Sequence, residues 1–498
     1  MEEIIRYFNE ECIKKFNELR TELYKEPKNL AEFIMYIRQE TDELARRTVE
    51  AVIQEMDDMI KSMPARKRNW YVEHKADSKS LTTSVGDVSF KRTLYVSKNE
   101  VDDNGKPLSC YLLDKVLELS PKQTMTEDAT SNILTEAVET SYRRGGDAAS
   151  PAGVSKGTVK NIIHSLKFPE TYKKPEKRKE VEYLYIEADE DHYHLQFKCR
   201  KGDLEKGENG RKKNGAITKL IYVHEGVEPE APGSKRHKLI NPHYFCRGES
   251  QDNKDLWKEV FDYIEDTYET EKIHRIYLNS DGGSWIKGGY RGIGGNITFV
   301  LDEYHLSKYI AKLTDHMEDS TEDAKKEIYD CIRNETKEKF SEIVERLKGC
   351  TKDDSVLKRI EDGADFIKSN WTAAKYRLKK GAGVVGSSTE GHVYHVLSSR
   401  MSTKPMGWSY RGGENMAKLL EYYWNKGNML ELAMYQKEEL PMAAGAEEVV
   451  LSVTEILRSE KTDRTKIQAE YGKYSDAARA TLSSQNNKQL MFWLNGKI

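Results

Sequence analysis

Apolar residues in the first sixty positions recur at helical spacing. Ile4, Ile5, Phe8, Ile13, Phe16 and Leu19 share one face, and Leu30 through Met59 keeps the same period. The period changes at LTTSVGDVSFKRTLYV, residues 81–96, where β-rich runs flank Gly86-Asp87 and predict a hairpin. Asn104-Gly105 marks another turn. Helical spacing returns from Thr126 to Tyr142 and is interrupted by Gly145-Gly146 and Pro151. Val154 to Ile163 then reads as the second half of a helix-turn-helix. Ser155 can cap its helix by accepting from a free first-turn N–H, which would leave Lys156, Thr158 and Lys160 facing a DNA groove. The plainer reading of the same residues is an ordinary capped surface helix.

Residues 169–182, PETYKKPEKRKEVE, form a charged, proline-containing linker, and beyond them the pattern turns to strands. Tyr183 to Asp189 is a short β-rich run ending in an acid. His192 to Cys199 alternates like its partner, and Ile217 to His224 makes a third strand. A helix from about Lys254 to Tyr268, a strand at Ile273 to Leu278, a short helix and a strand at Asn296 to Leu301 follow. That order predicts an α/β class with a ribonuclease-H-like catalytic core. The helical, highly charged stretch 306–380 reads as an insertion into it, and the glycine-rich loop 381–386 returns the chain to the core. The expected organisation is a helical N-terminal region, 1–75; a β-hairpin and helix-turn-helix region, 76–168; the linker, 169–182; the first part of the core, 183–305; the helical insertion, 306–380; the last part of the core, 381–435; and a helical tail, 436–498.

A chain of 498 residues is long enough for about three domains at roughly 100–200 residues each. Its net charge of -3 argues mildly against a nucleic-acid binder, which is often strongly basic, but the basic residues are clustered. Runs occur at Arg66-Lys67-Arg68, Lys173 to Lys179, Arg211-Lys212-Lys213 and Arg377 to Lys380, each of which also fits a solvated face. The six cysteines are scattered without a CxxC pair, as in reduced intracellular proteins, and this argues against a zinc ribbon. The N-terminus lacks the apolar core of a signal peptide, and no stretch approaches the ~18 apolar residues of a membrane span. The expectation is a cytoplasmic bacterial protein, nucleoid-associated when on DNA, with no membrane partner.

Phosphoryl transfer assisted by two divalent ions needs carboxylates from separate segments, because the ions sit ~3.5–4 Å apart and must both reach the reacting phosphate. Hard oxygen ligands suit Mg²⁺ or Mn²⁺. Three acids are candidates. Asp189 follows an apolar run in YIEADEDH, Asp281 follows one in LNSDGGSWIK, and Glu390 follows the glycine-rich loop, where Ser388 or Thr389 could cap its helix. Asp191 shares a strand face with Asp189 and is the alternative first acid. Asp302 and His305, three apart after the last strand, would either cap a helix and lie on the surface or form a shell behind the acids. His192 and His194 raise the question of a transition-metal site, but no third ligand has suitable spacing, and strand histidines making ordinary hydrogen bonds are the simpler reading.

YIEADEDH, LNSDGGSWIK, LDEYHLSKYI and SSTEGHVYHVLSSRMSTKPMGWS together resemble the ISLre-type insertion-sequence transposases, from about residue 80 to about residue 430. That family is similar to Mutator-like transposases, which carry a helical insertion before the last acid and a [C/D]xxH motif matched here by Asp302 and His305. The resemblance implies a DDE transposase with Asp189, Asp281 and Glu390 as catalytic triad and metal ligands. It implies two Mg²⁺ or Mn²⁺ ions, double-stranded transposon-end and target DNA as partners, and a homo-oligomer, a dimer when assembled on DNA. Hydrolysis at the element's end would free a 3′ hydroxyl, which then attacks target DNA in line. The family's first acid is often followed by glycine, whereas Glu190 stands here, so Asp191 stays open as the alternative. A ribonuclease-H-like nuclease without strand transfer, or a non-catalytic DNA-binding regulator, would use parts of the same pattern.

Overall fold

In the computed structural model, residues 2–102, 105–170, 172, 174–196, 215–249, 252–290, 296–381, 383–386, 388–404 and 406–437 are described. Arg211-Lys212-Lys213, the far end of the His192 to Cys199 run and nearly all of the expected C-terminal tail lie outside them. The chain divides into two compact units, one built on Met1–Thr130 with Ala149–Gly153, the other on Ser131–Ala148 with Val154–Gln436. The hairpin therefore belongs to the first unit, while the two helices of the helix-turn-helix fall in the second and the residues between them, Ala149–Gly153, group with the first. Among the described residues no helix is long and apolar enough to cross a membrane.

In the first unit the long helix Leu30–Ser62 packs on an antiparallel sheet of β1 (Trp70–Thr83), β2 (Gly86–Val101) and β3 (Pro107–Tyr111). Ile60, Trp70, Val88, Tyr95 and Leu113 fill the space between them. Asp57, buried on the helix, accepts from the Thr93 amide at 3.1 Å and hydroxyl at 2.9 Å and from Lys61 Nζ at 2.8 Å, which locks the helix to β2. The helical region ends at Asn69 rather than 75, because the alternating residues from Trp70 onward pair with β2, starting at Trp70 with Ser97. The hairpin turn falls at Ser84-Val85, one step before the expected Gly86-Asp87; Gly86 pairs with Thr83 and opens β2.

The second unit is a mixed α/β structure around a five-stranded sheet. Its strands are β4 (Tyr183–His194), β5 (Gly215–His224), β8 (His243–Gly248), β9 (Arg275–Ser280) and β10 (Ile297–Leu301), in spatial order β10-β9-β4-β5-β8. A small ribbon, β6 (Val227–Pro229) with β7 (His237–Leu239), lies between β5 and β8 in the chain. β4, β5 and β8 are antiparallel, while β9 and β10 run parallel to β4 and to each other. The first three strands differ from the sequence reading. Tyr183 to His194 is one unbroken strand, paired with β5 from Tyr185–His224 to His194–Gly215, so the charged run Asp189-Glu190-Asp191 is strand and not turn. The third strand is HYFCRG, buried at all six positions; a short run buried on both faces carries no alternation by which to recognise it.

The two sheet faces carry different chemistry. Leu184, Ile186 and Ala188 of β4, with Ile221, Val223, Phe245 and Leu278, pack against Leu256, Trp257, Val260 and Ile264 of the Asn253–Thr267 helix. Tyr185, Glu187, Asp189 and Asp191 alternate onto the opposite face. Helices then run from Glu303 to Lys379 around their own core of Leu306, Ile310, Ile328, Phe340, Ile360 and Trp371. Leu301 of β10 belongs to that same core, so the helical insertion grows directly out of the sheet.

The helix-turn-helix comprises Tyr142–Ala148 and Lys156–Ser165. Gly145 and Gly146 lie inside the first helix and do not break it. A Cβ on Gly146 would stand 2.3 Å from the Val154 carbonyl, so only glycine allows the two helices to close. Ser155 caps the second helix by accepting from the Thr158 amide at 3.1 Å. Val159 and Ile163 face inward, leaving Lys156 and Lys160 exposed; Thr158 is half-buried with its hydroxyl 3.0 Å from that of Ser155.

His243 in β8 stacks on Tyr263 at 4.2 Å and has a buried ring nitrogen without a partner, and burial alone pushes its pKa down to about 4. The folded chain refuses a proton that the unfolded chain takes below its usual ~6.5, so stability is full above that value and falls by about 3 kcal/mol towards pH 4. His243→Phe keeps the stacked ring and removes this loss. Chemical denaturation of both proteins at pH 7, 5.5 and 4 should show a flatter acid limb for the variant; parallel limbs would remove His243 as the cause.

Candidate active site

Asp189 sits in β4 one residue past Ala188, where pairing with β9 stops, while pairing with β5 continues. Asp281 follows the last residue of β9 directly. The two acids thus stand where the parallel pairing of β4 with β9 ends, β9 stopping and β4 running on beside β5. Glu390 is the second residue of the helix Thr389–Val393 and is exposed. Burial pushes Asp189 up to about 7; the Glu190 amide and His305 pull the other way, and the charges of Asp281 and Glu390 add to the rise. The charges of these four side chains, brought from four separate segments, therefore act on one another.

Each acid is held by its own backbone. Asp189 Oδ1 accepts from the Glu190 amide at 2.8 Å, and Glu190 in turn accepts from the Trp285 indole at 2.9 Å. Asp281 Oδ1 accepts from the Gly283 amide at 2.8 Å. Gly282 has φ +85°, and a Cβ there would stand 2.7 Å from Asn370 Oδ1, so the DGG turn needs glycine at this position on both counts. Asn370 also accepts from Lys287 at 2.6 Å, which ties the turn to the helical insertion.

Asp302 is the N-cap that the spacing allows, but it is buried rather than on the surface. Asp302 Oδ2 caps the Glu303–Thr314 helix through the His305 amide at 3.0 Å and lies 3.2 Å from His305 Nδ1. The Asp302 amide donates to the Ser280 carbonyl at 2.9 Å, fastening the ends of β9 and β10 together. Burial opposes charge on the imidazole, but Asp302, Asp189 and Asp281 hold its pKa above the usual value. Asp191 lies apart from this group. Its Oδ1 accepts from Ser402 at 3.2 Å, and burial raises its pKa against the Ser402 and Ser398 hydroxyls. His192 and His194 are exposed, and His192 approaches only Glu190, at 3.6 Å.

Neither Ser388 nor Thr389 caps the Glu390 helix with its side chain. The partner comes from the sheet, where Glu187, fully buried, accepts from the Ser388 amide at 3.1 Å, the Thr389 hydroxyl at 2.6 Å and the Tyr222 hydroxyl at 2.5 Å. Burial opposes its charge, yet these donors, with His224 at 3.4 Å, hold its pKa below the ordinary carboxylate range. Arg377 completes the support. Its guanidinium donates to the Leu301 carbonyl at 2.9 Å, the Val385 carbonyl at 2.6 Å and Asn279 Oδ1 at 2.7 Å. The basic run 377–380 is thus not wholly a solvated face. Sequence reasoning passed over Glu187, Asn279 and Arg377; an acid at an inward position of an apolar strand was the available signal.

Among the described residues no three His, Cys, Asp or Glu side chains form a ready-made metal cage. Mg²⁺ seldom uses one; it is usually held by one or two carboxylates, with water and substrate phosphate filling its other positions. Asp189, Asp281 and Glu390 carry the hard oxygen donors that such a cation takes.

The model of an uncharacterised protein family, UPF0236, matches residues 23–438. A relative from Caldanaerobacter subterraneus subsp. tengcongensis, UPF0236 protein TTE0610/TTE0881/TTE1053/TTE2432, is 35% identical over 434 residues, covering 87% of this chain and 85% of the relative. Another from the same bacterium, whose name joins eleven such designations from TTE0033 to TTE2212, is 36% identical over 420 residues, 84% of this chain and 83% of the relative. Among solved structures, the Drosophila P element transposase strand transfer complex aligns with 68% of this chain and 87% of its own at 11% identity; its TM-score of 0.22 is too low to support a common fold. The family match and the length of these alignments agree, and the chain belongs to the UPF0236 family.

Proposed function

We propose that this chain is a DNA transposase of the acidic-triad type, acting with two Mg²⁺ or Mn²⁺ ions on a ribonuclease-H-like sheet. The observation that carries the reading is that Asp281 and Glu390, from two distant parts of the chain, come near enough for their charges to add to the raised pKa of the buried Asp189. The strand order β10-β9-β4-β5-β8, three strands antiparallel and two parallel, is the arrangement expected of that fold. The names of the bacterial relatives add support. One protein name spanning eleven designations in one organism is the trace a self-copying element leaves in a genome.

In this reading Asp189, Asp281 and Glu390 hold the divalent ions, which would offset charge at the phosphorus and at the attacking and leaving oxygens. The chain's other groups orient these ligands. Asp302 aims His305, and His305, held towards its charged form, balances part of the carboxylate charge. Lys156 and Lys160 on the helix-turn-helix would grip the phosphate backbone, and pairing of two element ends would require a homodimer on DNA.

The test is incubation of the full chain with Mg²⁺ and DNA carrying the borders of its own element, mapping nicks and then joining to a target plasmid. Asp189→Asn, Asp281→Asn and Glu390→Gln should each lower nicking more than the 10–100-fold typical of losing an outer partner, with DNA binding retained. A variant that nicks near the wild-type rate removes that residue from the triad. If Asp189→Asn is active, Asp191→Asn is the next variant to make. Nicking without joining would leave a nuclease in place of a transposase.

Lys156→Ala and Lys160→Ala should weaken end binding and lower the slope of log affinity against log salt by about one unit each. Unchanged slopes would move phosphate contact away from the Lys156–Ser165 helix.

A further inference from the structure

Each of the two strand-borne acids has a buried polar residue two positions upstream on the same sheet face: Glu187 before Asp189, and Asn279 before Asp281. Their side chains meet, Asn279 Nδ2 lying 3.5 Å from Glu187 Oε1. Both reach the segment that delivers the third acid. Glu187 takes the Ser388 amide and the Thr389 hydroxyl, the two groups immediately before Glu390. Asn279 accepts from Arg377, whose other guanidinium nitrogen binds the Val385 carbonyl. The return segment is therefore tied at 385, 388 and 389, and the short helix has no side-chain cap of its own.

We infer that Glu187 is a positioning residue that fixes Glu390 against Asp189 and Asp281 by docking the start of the Glu390 helix on the sheet. The inference rests on the proposed triad, but its central contact is independent of any DNA chemistry. A carboxylate suits the place because its oxygens only accept, and the Ser388 amide, the Thr389 and Tyr222 hydroxyls and the Asn279 amide all donate to it. A glutamine would turn an NH₂ towards one set of these donors. The tether also differs from general core packing, since Thr389 contributes through a single hydroxyl that can be deleted without changing volume.

Thr389→Val, Thr389→Ser and Glu187→Gln in the full chain separate the alternatives. Thr389→Val should leave the melting temperature within a few degrees, yet speed amide exchange across 388–393 and weaken Mn²⁺ binding, read by electron paramagnetic resonance, by ~10–100-fold. Nicking should show kcat lowered over the same range with KM for end DNA unchanged. Thr389→Ser keeps the hydroxyl and should restore all of these; Glu187→Gln should exceed Thr389→Val in every one. Wild-type exchange rates at 388–393 in both Thr389→Val and Glu187→Gln would overturn the inference, as would a Thr389→Ser variant no better than Thr389→Val. If the wild-type chain cuts no DNA, the transposase reading fails, while the exchange measurement still decides whether Glu187 holds the helix.

Discussion

A carboxylate with no access to water is among the costliest groups a fold can bury, and it is tolerated only when its oxygens are filled by donors. Glu187 meets that condition through residues from three other segments. Tyr222 and His224 come from β5, Asn279 from β9, and Ser388 and Thr389 from the return loop. Removing any one donor leaves a charge less well compensated, so the ion acts as a joint that resists partial assembly. The central strand, its parallel neighbour, its antiparallel neighbour and the last helical segment must all be in place together. The apolar face with Trp257 and Val260 supplies the bulk of burial, but it does not specify where residues 385–390 lie.

That specification matters because the three proposed catalytic acids repel one another. Asp189 shows the strain directly, being pushed up to about 7 by burial and by Asp281 and Glu390. Left to themselves, such side chains would turn away from each other, and only a rigid frame keeps them at one rim. The frame is a set of separate holds. Gly283 fixes Asp281, Glu190 fixes Asp189, and Glu187 fixes the start of the Glu390 helix. Asp302 brings a histidine with raised pKa to the same rim, where its positive charge offsets part of the repulsion.

The sequence displayed the parts of this site that follow local rules. Strand-terminal acids, the DGG turn and the Asp302–His305 pair are all short-range patterns, and the charges of Asp189, Asp281 and His305 come near enough to act on one another. What stayed hidden has long-range causes. β4 runs through Asp189-Glu190-Asp191 because Leu220, Lys219 and Thr218 of β5 pair with them, a fact set by a distant partner. HYFCRG was invisible because burial on both faces erases alternation. Gly145-Gly146 looked like a helix break, yet they permit close helix packing that depends on Val154. Ser388 and Thr389 form no side-chain cap, and the Ser388 amide and Thr389 hydroxyl are bound instead by a buried glutamate just over two hundred residues earlier. Arg377, in a basic run that also fitted a solvated face, is buried with its donors taken.

The placement of the helical insertion follows from Arg377. Between β10 and Glu390 the chain travels through helices with a core of their own, a long detour for a connection whose end must be located tightly. Arg377 lies on the last of these helices and binds the end of β10, Asn279 of β9 and Val385 at the start of the return segment. The insertion's exit is thus anchored to the strands that carry the first two acids. The helices in the middle pack around a core of their own, so changes on their outer surface need not move Glu390. A site built this way can keep its acids in register while the intervening helices diverge, provided that the arginine, its asparagine and the buried glutamate are retained.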